Sequence, residues 1–274
     1  MPQFGTGTYS IPDARCCTTL LAALKAGYRH IDTAHAYGNE RAVGRAVKDS
    51  GIDRDSIWIT SKLWPNEYGK GKTLPATDRM LKRPGLDHID LVYLHHPVGD
   101  YVGAWHELEE AQRQGKVRAI GISDFDVNDS IFHSLIDSAK VMPQCFQIEC
   151  HPYAQRAHWQ DVARKYGIQI ECWFPLGGRD SHGAILRDPV INSIAKAHGK
   201  TPGQVILRWH IQKGFSVVPG IDELKYIDED MSIFDFSLTD EEMQRIAALN
   251  KEQRYFNMPY EEQKRRFGAY ELWD

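Results

Sequence analysis

The chain has 274 residues, 42% of them hydrophobic and 26% charged, with a formal net charge of -4. That length fits a single α/β barrel, which typically needs about 250 residues. A mildly acidic chain without a Lys/Arg cluster offers nucleic acid no electrostatic footprint, and no segment approaches the roughly 20 apolar residues of a membrane helix.

Short β-rich runs alternate with amphipathic stretches. "PQFGTGTY" opens as a strand, and Asp13 heads a helical run to Ala26. "YRHIDTA" (28–34) predicts a strand before a helix from Asn39 to Asp49, and "IWITSKL" (57–63) one before the helical 72–83. "IDLVYLHHP" (89–97) leads into a helix over 104–114 that Gly115 closes. "VRAIGIS" (117–123), "QCFQIEC" (144–150) and "IQIECWF" (168–174) repeat the pattern, and "FSVVP" (215–219) is the last strand. Near-continuous apolar character suits parallel strands buried on both faces, so a single-domain TIM barrel follows. A doubly wound sheet would want a G-x-G-x-x-G turn after its first strand, and none is there.

The tail, 251–274, is rich in charge and aromatics and packs either over the barrel mouth or on its side. Five cysteines (Cys16, Cys17, Cys145, Cys150, Cys172) form no C-x-x-C pair, so they read as buried thiols in a reducing cytoplasm rather than disulfides or a zinc cluster. The stretch "MPQFGTGTYSIPD" has neither the charged region nor the apolar core of a signal peptide.

Active-site residues of such a barrel come from the C-terminal ends of its strands. Those ends carry Asp32 and Tyr37, then Lys62, then His95. Each alone has an ordinary explanation as a cap, a solvated charge or a satisfied core residue. Together they suggest proton delivery to an oxygen. Tyrosine has a pKa of about 10, and a buried ammonium beside it would lower that value. Asp32 would keep Lys62 charged, and His95 would donate a hydrogen bond to a carbonyl oxygen.

"GYRHIDTAHAYGNE", "ITSKLW", "LVYLHHP", "GKVRAIGISDF", "FQIECHP" and "GKTPGQVILRWHIQKGFSVVP" resemble the aldo-keto reductase family, in a bacterial branch that contains 2,5-diketo-gluconate reductases. The resemblance runs from "FGTGTY" to about Asn250. It implies a TIM barrel that uses NADPH or NADH to reduce aldehydes or ketones, acting as a monomer and without a metal. It carries over a tetrad of Asp32, Tyr37, Lys62 and His95, with Tyr37 as general acid. Gly5 and Thr6 would lie under the cofactor, and Ser123 and Gln147 would hold the nicotinamide carboxamide. Trp173 would stack on the ring and Leu176 run along the pyrophosphate. Tyr9 and Trp64 would line the substrate pocket.

Three departures stand out. Asp124 replaces an asparagine, keeping an acceptor but losing an amide donor. His96 replaces a tryptophan at the pocket wall. In the last turn, where the resemblance implies a clamp for the adenosine 2′-phosphate, Gly220, Ile221 and Tyr226 follow Pro219 in place of lysine, serine and arginine. Glu229 matches, and Asp230 replaces an asparagine. Five carboxylates (Asp222, Glu223, Asp228, Glu229, Asp230) face one cation, Lys225, between 216 and 230. This turn should repel a 2′-phosphate and accept a hydrogen bond from a free 2′-hydroxyl, which points toward NADH. Two other classes compete. One is a nucleotide-binding sensor with little turnover, suggested by the altered turn. The other is a metal-dependent hydrolase built on His30, His35, His95 and His96, whose ligand spacing is poor.

Overall fold

Eight parallel strands each pair with the next in sequence: β1 (Thr6–Gly7), β2 (His30–Asp32), β3 (Trp58–Leu63), β4 (Ile89–Leu94), β5 (Val117–Ser123), β6 (Cys145–Glu149), β7 (Gln169–Trp173) and β8 (Ser216–Val217). The computed structural model describes residues 1–221 and 223–272. Asp222 of the acidic turn and residues 273–274 of the tail lie outside the described residues. Backbone bonds between the first and last strands close the barrel, with Gly5 N–H donating to the Val217 carbonyl (3.0 Å) and Gly7 N–H to that of Pro219 (2.9 Å). Both seam strands are shorter than their sequence runs. Pro219 has no N–H to extend the ladder, and beyond β8 the pairing continues only as an isolated bridge between Gly7 and Gly220.

Helices α1 (Asp13–Lys25), α2 (Glu40–Asp49), α3 (Thr73–Lys82), α4 (Tyr101–Arg113), α5 (Asp129–Ile136) and α6 (Ala157–Tyr166) follow the first six strands in turn. Two more, α7 (Pro189–His198) and α8 (Pro202–Gln212), separate β7 from β8. Local chemistry sets their starts. Asp188 accepts from Val190 N–H and Thr201 forms a capping box with Gln204, each with proline in the first turn. Helix α4 begins three residues earlier than its periodicity suggests, because Asp100 caps it by accepting from Gly103 N–H. The main core lies between barrel and helices, where Leu20, Trp105, Phe132, Phe146 and Trp209 are buried. Beyond β8 come α9 (Lys225–Met231), α10 (Asp240–Ala247) and α11 (Tyr260–Ala269). Among the described residues no helix is long and apolar enough to cross a membrane.

Candidate active site

Parallel register brings the four candidate side chains to one mouth. Asp32 ends β2 beside Thr60, and Lys62 stands level with Tyr93, two residues before His95. Lys62 is 1% exposed, and its ammonium donates to Asp32 Oδ1 (2.5 Å), the Thr33 carbonyl (3.0 Å) and the Tyr37 hydroxyl (3.3 Å). Tyr37 follows β2 on a short helical turn, its ring centroid 5.8 Å from that of His95. Burial raises the Asp32 carboxyl despite the charge of Lys62. Burial also disfavours the ammonium, but the charges of Asp32 and Tyr37 outweigh it and hold Lys62 protonated. Burial, then His96 and Lys62, push the His95 imidazole well below its usual value, so it is neutral.

The phenol departs from expectation. Lys62 does favour the phenolate, but desolvation outweighs it and Tyr37 is pushed up to about 12. Tyr37 therefore stays protonated through the neutral range, as a proton donor must.

Several expected contacts are rearranged. A Cβ on Gly5 would come within 2.7 Å of the His30 ring, and the buried Thr6 hydroxyl donates to the Pro219 carbonyl (3.3 Å). It is Gly7 that pairs with Asp32, and Thr8 N–H that donates to the Asp32 carbonyl (2.9 Å). The mouth position read as Gly5–Thr6 is thus taken by Gly7–Thr8, two residues on. Gln147 gives its amide nitrogen to Asp32 Oδ2 (2.8 Å) and Glu171 Oε1 (2.7 Å), leaving its carbonyl beside the Ser123 hydroxyl (3.4 Å). Asp124, with a left-handed φ of 61°, receives the Trp173 indole N–H (3.0 Å) on Oδ1 and faces His96 Nδ1 (3.1 Å) with Oδ2. The acceptor that Asp124 keeps is thus already engaged.

Aromatic groups wall the mouth. Tyr9 is 59% exposed, with its ring 5.2 Å from Tyr37. Trp64 is buried edge-on to His95 and His96, and its indole donates to the Tyr270 carbonyl (2.9 Å). His96 lies between His95 (4.5 Å) and Phe267 of α11 (4.2 Å). The two tail residues, Phe267 and Tyr270, carried no signal in the sequence beyond their aromaticity.

The last turn also differs. Ile221 is buried in the main core, and the Glu229 carboxylate accepts from the Thr201 hydroxyl (2.6 Å). Asp230 is 5% exposed, and burial, then the charge of Glu229, push it up to about 7. Ile221 ahead of α9 and Asp230 on it are thus turned into the protein and Glu229 is held by Thr201, whereas Gly220 is exposed and Tyr226 half-buried. Lys225 pairs with Glu223 (2.8 Å) over the Tyr226 ring. Leu176 is half-buried in the loop after β7.

The residues present suit a nicotinamide: the Ser123 hydroxyl and Gln147 carbonyl match a carboxamide, and half-buried Trp173 and Phe174 supply aromatic faces. Among the described residues, one group could hold a metal: Cys150, Cys172 and His210, with ligand atoms within 4.8 Å of one another. Both ring nitrogens of His210 already face backbone carbonyls, Ile206 O at 2.8 Å and Cys150 O at 3.0 Å.

Residues 1–251 match the model of the aldo/keto reductase family. The chain is 40% identical over 256 residues to the glyoxal reductase of Bacillus subtilis (strain 168), covering 93% of this chain and 91% of that one. It is also 40% identical over 256 residues to the 9,11-endoperoxide prostaglandin H2 reductase of Trypanosoma cruzi (strain CL Brener), covering 93% and 89%. Among solved structures, an aldo-keto reductase from a Medee basin deep-sea metagenome library superposes with a TM-score of 0.88 at 37% identity, covering 95% of this chain and 97% of that one. A mutant of Gox0644 crystallised with NADPH superposes at 0.85 with 34% identity, covering 91% and 90%. The chain therefore belongs to the aldo/keto reductase family and is an NAD(P)H-dependent reductase of small carbonyl compounds.

Proposed function

We propose that Tyr37 gives the proton to the carbonyl oxygen, with Lys62 and Asp32 behind it and His95 beside it. The observation that supports this best is the Lys62 ammonium, bonded at once to Asp32, the Thr33 carbonyl and the Tyr37 hydroxyl. The nicotinamide, when bound, supplies the hydride that reduces the carbonyl carbon. As charge develops on the oxygen, Tyr37 releases its proton to it. A phenol at about 12 is still a far stronger acid than an alcohol, so the transfer is downhill. The phenolate left behind faces Lys62, whose charge Asp32 maintains. Neutral His95 donates a hydrogen bond to the same oxygen without competing for its proton.

The turn after β8 supports use of NADH as well as NADPH. Its single cation, Lys225, is engaged by Glu223, so a 2′-phosphate meets a turn whose positive charge is already compensated. A reducing cytoplasm is supported by five free thiols.

Replacing Tyr37 by Phe tests the proton donor. Turnover should fall by about 10²- to 10⁴-fold while binding of NADPH, followed by tryptophan quenching, is nearly unchanged. Retained turnover would remove Tyr37 from the role.

A further inference from the structure

Beneath the tetrad lies a second carboxyl group, Glu171 of β7, 0% exposed inside the barrel. Its Oε1 receives the Gln147 amide N–H (2.7 Å) and the Tyr93 hydroxyl (3.1 Å). Its Oε2 faces the Ser216 hydroxyl (3.2 Å) and His30 Nε2 (3.4 Å). The same Gln147 nitrogen also donates to Asp32 Oδ2 (2.8 Å), so one amide ties the two carboxyl groups together.

The charges in this interior do not balance if both carboxyls ionise. Around Glu171 stand His30 and Asp32 on β2, Lys62 on β3, Tyr93 on β4, Cys145 and Gln147 on β6, and Ser216 on β8. The ammonium of Lys62 is committed to Asp32. The remaining basic group is His30, also 0% exposed. Its Nδ1 lies 3.3 Å from the Pro2 carbonyl, which can only accept, so Nδ1 carries the ring proton. Burial disfavours the charged ring, so Nε2 is then a lone pair. The Thr60 hydroxyl meets that lone pair at 3.1 Å and a Glu171 oxygen at 3.4 Å; a carboxylate there would repel it, whereas a carboxylic acid can share it with the hydroxyl. A carboxylate here, without a counter-charge of its own, would have only the Gln147, Tyr93 and Ser216 donors to offset its burial.

We propose that Glu171 is a positioning residue for the tetrad, held as a neutral carboxylic acid that hydrogen-bonds His30 and, through Gln147, orients Asp32. Neutrality matters because a second negative charge next to Asp32 would compete with it for Lys62. The contact matters because it commits the Gln147 nitrogen to the barrel interior and turns its carbonyl toward Ser123, where a carboxamide N–H can meet it. The consequence for turnover rests on the role given above to Asp32 and Lys62; the protonation state of Glu171 does not.

Infrared difference spectra of the full chain, wild type minus Glu171→Gln, measure the protonation directly. The expected result is a C=O stretch of a protonated carboxyl at neutral pH in the wild type that the variant lacks. Carboxyl-labelled glutamate followed by NMR across the same pH range, in the wild type alone, reads the same state without relying on the variant. Glu171→Gln, which preserves shape and neutrality, should keep NADPH affinity and kcat within about threefold, whereas Glu171→Leu, which cannot accept from Gln147, should weaken NADPH binding about tenfold. An ionised Glu171 at neutral pH overturns the proposal. So does a Leu variant that binds NADPH as tightly as the wild type. If Tyr37→Phe retained turnover while the carboxyl signal was present, the tetrad assignment would fail and the neutral acid would stand.

Discussion

His96 Nδ1 lies 3.1 Å from Asp124 Oδ2, so two residues that break the family pattern at the mouth break it as a pair. The other oxygen of Asp124 holds the Trp173 indole at 3.0 Å, linking the substrate wall to the aromatic face expected for the cofactor. Replacing either partner alone strands a polar group at a nearly closed site. Asp124→Asn and His96→Trp should each lower kcat/KM, and the double variant should recover part of the loss. The expected coupling is about 0.5–3 kcal/mol, whereas independent residues would add within a few tenths. Steady-state kinetics on one aldehyde across the four proteins decides between the two.

The Lys62–Asp32 pair is buried at 1% and 5% side-chain exposure, and breaking it leaves an ion without its counter-charge. Lys62→Met should destabilise the protein by about 3–5 kcal/mol, and removing Asp32 as well should restore much of that. Urea unfolding of the two variants beside the wild type measures both. A Lys62→Met protein as stable as the wild type would mean that Asp32 is satisfied by Gln147 alone.

Asp230 supplies a pH signature remote from the chemistry. Its folded value, about 7, is above the 3.8 of a free aspartate, so between those values the unfolded chain ionises while the folded one keeps its proton. Stability attributable to this group is therefore greatest below the unfolded value and declines as pH rises toward 7, then levels off. Asp230→Asn should match the wild type near pH 4 and exceed it by about 1–3 kcal/mol at pH 8. Thermal unfolding at the two pH values tests the sign, and an equal difference at both would exclude burial of the charge as the cause.

The last turn can be rebuilt. Gly220 is exposed and a Cβ there meets nothing within 4 Å, so a lysine fits without displacing the backbone. Gly220→Lys combined with Tyr226→Arg should tighten NADPH binding about tenfold or more by charge-assisted bonds to the phosphate, and leave NADH affinity nearly as it was. Equilibrium quenching titrations with both nucleotides give the ratio directly. Equal tightening for both would show that the new cations act on the pyrophosphate or adenine.

What the sequence determined by itself was the barrel and the chemistry of its mouth. Runs such as "VRAIGIS" and "IDLVYL" are apolar on both faces, which only a covered parallel sheet can bury, and the polar residues ending successive runs then have to meet. Tertiary structure decided everything that depends on register and enclosure. Whether Gly5 or Gly7 reaches the mouth depends on a two-residue offset set by pairing with β2. Ile221 and Asp230 are buried and Glu229 is held by Thr201, although along the chain the three read as part of one exposed turn. The direction of the Tyr37 shift could not be read from its neighbours, because desolvation scales with the surrounding walls and here exceeds the pull of Lys62. Glu171 was invisible for the same reason: one acid in "IQIECWF" looks like a strand residue until seven other strands close around it. Periodicity along a chain reports which side of an element is apolar, whereas the protonation of a buried group is set by charges that only the closed barrel brings within reach.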